Sequence, residues 1–385
     1  MHVNSPRLFN SFWLGGFECA SHRRNDGKRL DLLAATGHDQ RAEADYRQLA
    51  SFGIRTVRDG LRWHLIEKTP GHYDWSSFLP MLRAATATGT QVIWDLCHYG
   101  YPDDLDIWSG EFVERIARFA AATAQLVKDE TDLAAWYCPV NEMSYWAWAG
   151  GHVGLFNPCA VERGGELKRQ LVRAAIAVTE AIRDVDPRAR LVTAEPLIHV
   201  TSHSEDPEHI RDAEEYRLVQ YEAVDLLTGR QEPELGGRPE YLDVLGVNYY
   251  PFNQWYLGGS TIPLGHHAFR PLAEMLQEVY ERYRRPLLIA ETGAEGSGRA
   301  SWLHYVGAEV QEAICNQVLI EGICIYPIVD YPGWENGRIC RVGLLSDPLS
   351  DHKRIVCERT ATELIRLERL FRRMTGSREV VSSTG

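Results

Sequence analysis

The sequence has no long apolar run. Among its 385 residues, no stretch contains about eighteen consecutive apolar residues, roughly the minimum that a membrane-spanning helix requires. The first ten residues are polar and lack the apolar core of a secretory signal. We therefore expect a cytoplasmic protein that has no membrane partner.

Basic clusters and metal-binding spacings are also missing. The formal net charge is −12, and no run of Lys or Arg could follow a phosphate backbone, so we expect no nucleic-acid partner. The eight cysteines contain no CxxC pair. Four histidines have irregular spacing: His199, His203, His266 and His267. We therefore predict neither a metal site nor a cofactor.

Short apolar segments alternate with longer amphipathic segments along the chain. The apolar segments predict strands at residues 12–17, 54–58, 91–96, 135–140, 190–194, 244–248, 287–291 and 322–328. The amphipathic segments predict helices at residues 40–50, 76–88, 111–128, 167–185, 213–227, 271–283, 300–320 and 353–371. This alternation is typical of βα units in a parallel sheet.

The number of units selects the architecture. Eight βα units without a long spacer predict an α/β fold, a closed (β/α)8 TIM barrel, because an open doubly wound sheet would have fewer strands and a glycine-rich first turn. We expect residues 1–374 to form this single domain and residues 375–385 to form a polar tail. Four cysteines in or beside the predicted strands are expected to be buried free thiols: Cys19, Cys97, Cys138 and Cys324.

Polar residues at the carboxyl ends of the strands are the candidates for chemistry, because side chains there face the bowl formed by the βα loops. Glu142 follows the fourth predicted strand and Glu291 ends the seventh. Two carboxyl groups across a barrel mouth suit glycoside cleavage, in which one protonates the leaving oxygen and the other attacks the sugar carbon. Arg58, which ends the second strand, would keep Glu291 ionised, and apolar surroundings would let Glu142 keep its proton.

Several short motifs accompany these residues. They are Val57-Arg58-Asp59, Thr69-Pro70-Gly71, Asp95-Leu96-Cys97-His98, Asn141-Glu142-Met143, Asn248-Tyr249-Tyr250, Glu291-Thr292-Gly293 and Asp330-Tyr331-Pro332-Gly333-Trp334. On these motifs the chain resembles glycoside hydrolase family 1, the β-glucosidase family, over nearly the whole barrel. The resemblance implies an enzyme that hydrolyses a terminal β-linked sugar with retention, through a covalent glycosyl-enzyme intermediate. Glu142 would be its acid/base and Glu291 its nucleophile.

The resemblance also implies binding roles. Asn141 would bond the sugar 2-hydroxyl, and His98 and Trp334 would line the subsite of the terminal sugar. Tyr249 would orient the nucleophile. Since successive strand residues point to opposite faces, Tyr249 and Tyr250 cannot both face the bowl, and we expect Tyr249 to do so.

The chain departs from the family pattern in four places. The first-strand motif Gln-x-Glu-Gly is absent, and Glu18 after this strand is a candidate for contacts with sugar hydroxyls. Tyr99 stands where the family usually has tryptophan, and Met143 replaces a proline. The last loop reads Trp334-Glu335, where the family often has Glu-Trp. We therefore expect the catalytic machinery to be shared more closely than the choice of sugar.

Several alternatives stay open. An endo-acting hydrolase of the same clan, or a barrel that binds sugar without cleaving it, would also fit a carbohydrate or glycoside partner. Glu195 ends the fifth strand and is a rival acid, although no Asn precedes it. Trp136, Trp146 and Trp148 could stack on sugars or serve only for packing. Assembly into a homo-oligomer is possible.

Overall fold

The computed structural model describes residues 8–346 and 354–375. Eight parallel strands close into a barrel, in which each strand pairs with its neighbours in sequence and the last pairs with the first. The strands are β1 (Trp13–Gly16), β2 (Thr56–Gly60), β3 (Gln91–Asp95), β4 (Trp136–Cys138), β5 (Arg190–Pro196), β6 (Val244–Asn248), β7 (Leu287–Thr292) and β8 (Ile320–Ile325). The predicted single-domain (β/α)8 barrel is confirmed.

Helices follow the strands and surround the barrel. The main ones are α1 (His38–Ala50), α2 (Leu79–Thr88), α3 (Gly110–Glu130), α4 (Gly164–Val185), α5 (Pro207–Leu218), α6 (Leu272–Tyr283), α7 (Arg299–Cys315) and α8 (Glu358–Thr375). Shorter helical segments in the loops are Leu32–Ala35, Trp63–Ile66, Met143–Trp146, a π-helical turn Ala147–His152, a 3-10 turn Val219–Tyr221 and a helix Glu222–Leu227.

Three predicted helices differ from the observed ones. The helix predicted at 300–320 ends at Cys315, because Gln317 has a left-handed backbone with φ 67° and the apolar residues after it lead into β8. The helix predicted at 213–227 is interrupted by the 3-10 turn and begins earlier, at Pro207, where the side chain of Asp206 caps it. The helix predicted at 353–371 begins later, at Glu358, and ends later, at Thr375, the first residue of the predicted tail; residue 353 and residues 376–385 lie outside the described residues.

Buried, mainly apolar side chains fill the barrel interior. They belong to Phe9, Leu14, Ile93, Trp136, Cys138, Val192, Ala194, Val244, Leu288, Ala290, Cys324 and Tyr326. The ring of Phe9 packs on Trp136, with centroids 4.7 Å apart, and closes the amino-terminal end of the barrel. Trp136 is therefore a packing residue. Because this floor excludes water, polar groups of the interior lie towards the carboxyl end.

A buried ionic network joins β2 to the helical layer. The imidazole of His38 in α1 lies 2.8 Å from both Asp45 and Asp59. Burial alone would lower the pKa of His38, but the two carboxylates outweigh it and raise this pKa to about 9. The guanidinium of Arg354 donates to Asp45 at 2.8 Å. Asp59 thus anchors the outer face of β2, and the preceding residue, Arg58, faces the interior.

Two small sheets bridge the loops at the carboxyl end. Strand His199–Thr201 pairs with Gln254–Tyr256 and joins the loops after β5 and β6. Strand Tyr331–Pro332 pairs with Ile339–Cys340 within the loop after β8. These pairings give the mouth of the barrel a hydrogen-bonded rim.

Two further observations concern the cysteines and the helices. Cys19, Cys97, Cys138 and Cys324 are free and buried, as predicted. Within residues 8–346 and 354–375, no helix is both long and apolar enough to cross a membrane.

Candidate active site

Glu142 lies just beyond β4, at the start of the helix Met143–Trp146. Its backbone is left-handed, with φ 44°, which costs of order 1–3 kcal/mol for a residue with a Cβ atom. The side chain is held at both oxygens, because Asn248 Nδ2 donates to Oε1 at 2.9 Å and the Tyr99 hydroxyl donates to Oε2 at 2.5 Å. The strained backbone and the two donors fix this carboxyl at the mouth of the barrel.

A β-bulge places Glu291 in the bowl. Val247 in β6 pairs with Ile289, but the next residue, Asn248, pairs with Glu291. Ala290 already faces the interior, so strict alternation would turn Glu291 outward. The extra residue in β7 re-aims its carboxylate inward instead.

The guanidinium of Arg58 connects the polar residues of the interior. It donates to both carboxylate oxygens of Asp95, at 2.8 and 2.7 Å, and to Glu291 Oε1 at 2.7 Å. Its Nη2 also donates to Asn141 Oδ1 at 2.5 Å. The side chain is fully buried, so its charge is unscreened by water and depends on these acceptors.

The surrounding contacts determine the tautomer of His98. Asn141 Oδ1 accepts from Arg58, so its Nδ2 is the donor to His98 Nε2 at 3.1 Å. His98 Nε2 is therefore unprotonated, and Nδ1–H donates to Asp95 at 2.9 Å. Asn141 is thereby fixed behind the carboxyl groups as well.

Among the described residues, Cys19, Asp95 and His98 form the one trio close enough together to hold a metal ion. Their ligand atoms already contact each other, since Cys19 Sγ lies 3.3 Å from His98 Nδ1. Asp95 also forms an ion pair with Arg58 at 2.7 Å. A hydrogen-bonded cluster explains these contacts, and a second cation beside Arg58 would be repelled.

The prediction that the side chain of Tyr249 faces the bowl and orients the nucleophile is wrong. The Tyr250 hydroxyl donates to Glu291 Oε2 at 2.9 Å, whereas the buried Tyr249 hydroxyl accepts from Gln254 at 2.8 Å and its ring stacks on Trp302. Alternation in β6 gives the reason: Asn248 faces the bowl, so Tyr250 shares its side and Tyr249 faces the helices.

Burial raises the pKa of both candidate catalytic carboxyls. At Glu291 the strongest opposing influence is the positive charge of Arg58. At Glu142 the strongest opposing influences are the hydrogen bonds from Tyr99 and Asn248, which are neutral donors. A full cation favours the carboxylate more than neutral donors do, so these contacts favour Glu291 as the group that carries the negative charge.

A cavity of about 1000 Å³ opens above these groups. It is lined by five of the predicted site residues: Glu18, His98, Glu142, Glu291 and Trp334. Burial raises the pKa of Glu18 to about 7. The other two predicted residues in the cluster, Arg58 and Asn141, are buried behind the carboxyl groups.

Tyr326 and Trp334 line this cavity, and Asn248 lies behind it as a donor to Glu142. Tyr326 Oη, Trp334 Nε1 and Asn248 Oδ1 are buried and lack a hydrogen-bond partner within the described part of the chain. Buried polar groups are nearly always paired. These atoms are therefore available to a polar ligand or to water.

The remaining candidates lie elsewhere. Glu195 accepts from the backbone N–H of Ser144 at 3.0 Å, and it does not line the main cavity. Trp146 is buried and donates to the carbonyl of Asn157 at 2.8 Å, so it packs rather than stacks on a ligand. Trp148 lines the cavity and is 43% exposed.

Sequence reasoning gave no role to four residues that the structure brings into the cluster: Asp95, Tyr99, Tyr250 and Tyr326. A signal existed for Asp95, because a buried arginine at a strand end needs an anion and Asp95 ends the neighbouring strand. The position of Tyr250 follows once Asn248 is placed in the bowl. No comparable signal existed for Tyr326.

No protein-family model matches the sequence, and no curated protein sequence matches it. Solved structures do match. The β-glucosidase from Thermotoga maritima in complex with glucoimidazole has a TM-score of 0.78 at 16% identity, covering 98% of this chain and 100% of that one. The family 1 β-glucosidase from the same organism has a TM-score of 0.76 at 16% identity, covering 96% and 99%.

The chain has the fold of a family 1 β-glucosidase. A third structure, the monomer of a hyperthermophilic β-glucosidase mutant that forms a dodecameric structure in the crystal, agrees with a TM-score of 0.73 at 17% identity and covers 92% of this chain and 99% of that one. The structural match covers the whole barrel, so the ends of β4 and β7 lie at places in the fold that correspond to those in the matched structures.

We predict that Arg58→Met lowers the free energy of unfolding by about 3–5 kcal/mol at pH 7, because Asp95 and Glu291 would be left buried without their cation. Burial raises the pKa of Asp95, but Arg58 and His98 together outweigh it and hold this pKa below its usual value. In the variant this carboxyl can take up a proton more easily, so the loss shrinks as the pH falls. Urea unfolding at pH 5 and pH 7 measures both effects.

The control is Arg47→Met, which removes an exposed arginine paired with Glu43 on α1. Its expected cost is below about 1 kcal/mol. An Arg58→Met protein as stable as the control variant would contradict the view that Arg58 neutralises buried carboxylates.

Proposed function

We propose that the protein is a retaining β-glycosidase that removes one terminal sugar from its substrate. The observation that carries the proposal is the unequal surroundings of two carboxyl groups facing one cavity. Glu291 has a guanidinium at 2.7 Å, whereas Glu142 has only neutral donors. One group is therefore suited to be an anionic nucleophile and the other to be an acid.

In the first step, Glu291 attacks the anomeric carbon while Glu142 gives its proton to the departing oxygen. The bond to the leaving group breaks and an ester to Glu291 forms. The Tyr250 hydroxyl orients the attacking carboxylate through its 2.9 Å contact. Arg58 stays paired with Asp95 in both steps, so its positive charge keeps an anionic partner while Glu291 is esterified.

In the second step, water hydrolyses the ester. Esterification removes the negative charge of Glu291, so the repulsion that held the proton on Glu142 disappears and Glu142 becomes a base. It takes a proton from water, which attacks the anomeric carbon and releases Glu291. The two inversions give net retention.

The inner end of the cavity supports an exo mode of action. Arg24 Nη1, in the loop after β1, donates to the carbonyl of Trp334 at 2.9 Å and so ties this loop to the one after β8. Glu18 and Trp334 then bound the space beside Glu291, with the unpaired Tyr326 hydroxyl available to the sugar. A bounded end accommodates a chain terminus rather than a continuous chain.

Hydrolysis of a panel of aryl β- and α-glycosides tests the proposal. We expect release from one or a few β-glycosides only, a loss of at least about a thousandfold in Glu291→Gln, and a loss in Glu142→Gln that is greatest for poor leaving groups. Proton NMR of the first product should show the β anomer.

Glu195→Gln is the matched control, since Glu195 is also a buried glutamate at a strand end but lies outside the main cavity. It should keep most of the activity. Saturable sugar binding without turnover would favour a sugar-binding barrel instead, and faster cleavage of longer oligosaccharides at internal bonds would favour an endo-acting hydrolase.

A pH profile tests the part played by Tyr99. Its hydroxyl accepts from Asn141 at 3.0 Å and donates to Glu142, which favours the ionised acid. Tyr99→Phe should therefore raise the pKa of Glu142 and move the basic limb of kcat/KM to higher pH, because the first step needs the protonated acid. Tyr249→Phe, whose hydroxyl faces Gln254, should leave the profile unchanged; equal profiles for both variants and the parent would contradict this role.

A further inference from the structure

The cavity continues beyond the two carboxyl groups into a region with a different lining. We call this region the outer chamber and define it by six apolar residues that line it: Trp148, Ile198, Tyr216, Val219, Phe252 and Trp255. Four of them are markedly exposed: Trp148 at 43%, Tyr216 at 40%, Val219 at 48% and Phe252 at 64%. Large apolar side chains gathered around one opening are typical of a ligand-binding surface.

The barrel topology places the outer chamber on the side of Glu142. Its residues come from the segments that follow β4, β5 and β6, with Tyr216 on α5, and these three strands are neighbours in the barrel. Glu142 follows β4. Glu18 and Trp334 come from the loops after β1 and β8, which are also neighbours but lie elsewhere around the mouth. An acid protonates the leaving group, so the leaving group departs towards the outer chamber.

Several polar side chains on this side are bonded to the protein itself. Lys168 pairs with Glu222 at 2.5 Å, which leaves no net charge. The side chain of Gln220 bonds the main chain of Ile198 through both its oxygen and its nitrogen, at 2.9 and 3.2 Å. Asn253 Nδ2 donates to the carbonyl of Leu197 at 2.9 Å. These side chains are therefore not free to bind the hydroxyl groups of a second sugar.

The walls of the outer chamber are held in place. The ring of Phe252 stacks on Tyr250 with centroids 5.5 Å apart, and Tyr250 is the residue that contacts Glu291. Trp255 lies in the small sheet that joins two of the loops, and its ring contacts Tyr216 at 6.3 Å. An apolar group entering here would meet preformed aromatic faces.

We infer that the substrate's leaving group is a large, uncharged and mainly apolar alcohol, such as an aryl or polycyclic alcohol, and that the outer chamber binds it. The inference rests on the proposed function and adds the chemical class of the group that is released.

Three substrates that share one terminal sugar test the inference: the phenyl β-glycoside, the 2-naphthyl β-glycoside and a disaccharide. Phenol and 2-naphthol have similar acidity, so the first two differ mainly in apolar size. We expect kcat/KM to be about tenfold higher for the naphthyl than for the phenyl glycoside, and lowest for the disaccharide. Phe252→Ala should remove most of the naphthyl advantage.

The control is Leu133→Ala, which removes an apolar side chain of similar exposure, 69%, from the segment before β4 at the opposite end of the barrel. It should leave the ratio between the substrates unchanged. Binding of free 2-naphthol, followed by its own fluorescence, gives a readout that needs no turnover. Phe252→Ala should weaken this binding at least about threefold, and Leu133→Ala should not.

The outcomes separate this inference from the proposed function. Equal kcat/KM for the phenyl and naphthyl glycosides, or a disaccharide cleaved as fast as either, would overturn the inference while leaving a glycosidase in place. No turnover of any glycoside in the panel would overturn the proposed function. In that case 2-naphthol binding that is absent, or unaffected by Phe252→Ala, would overturn the outer chamber as a binding site too.

Discussion

One buried guanidinium sets the charges at the mouth of this barrel. Arg58 contacts Asp95 and Glu291 at 2.7 Å each, so one positive charge faces two carboxylates. The trio carries a net negative charge when both are ionised, and this disfavours ionisation of the third carboxyl, Glu142. Without Arg58, Asp95 and Glu291 would be buried with no positive charge to offset the loss of hydration. The difference between nucleophile and acid therefore originates in a residue that touches neither a leaving group nor a sugar in the proposed reaction.

The fold supplies the conditions for that interaction. An apolar floor ending at Cys138, Ala194 and Ala290 excludes water beneath Arg58, so the electrostatic contacts above it are strong. The bulge in β7 then turns Glu291 towards the guanidinium. On the other side, the left-handed backbone of Glu142 directs the acid towards the same space. Strain and irregular pairing are concentrated where the two carboxyl groups must face each other across the cavity.

The sequence was sufficient to predict the eight strands, because buried parallel strands are continuous apolar runs, and to predict that Glu142, Glu291 and Arg58 lie at the strand ends around one bowl. It was insufficient where one residue of register matters. Alternation from a buried Asn248 places Tyr250 in the bowl, and not the predicted Tyr249. The outer chamber could not be predicted either, because its walls come from three separate segments, after β4, β5 and β6, that only the closed barrel brings together.

The most direct test of the account is to trap the covalent intermediate. A 2-deoxy-2-fluoro-β-glycoside with a good leaving group, carrying the sugar that the protein hydrolyses, should inactivate the protein with one label per chain. Peptide mapping by mass spectrometry should place that label on Glu291. A label on another residue, or no label on a protein that still hydrolyses the matching aryl glycoside and inverts its anomeric configuration, would contradict the assignment of Glu291 as nucleophile.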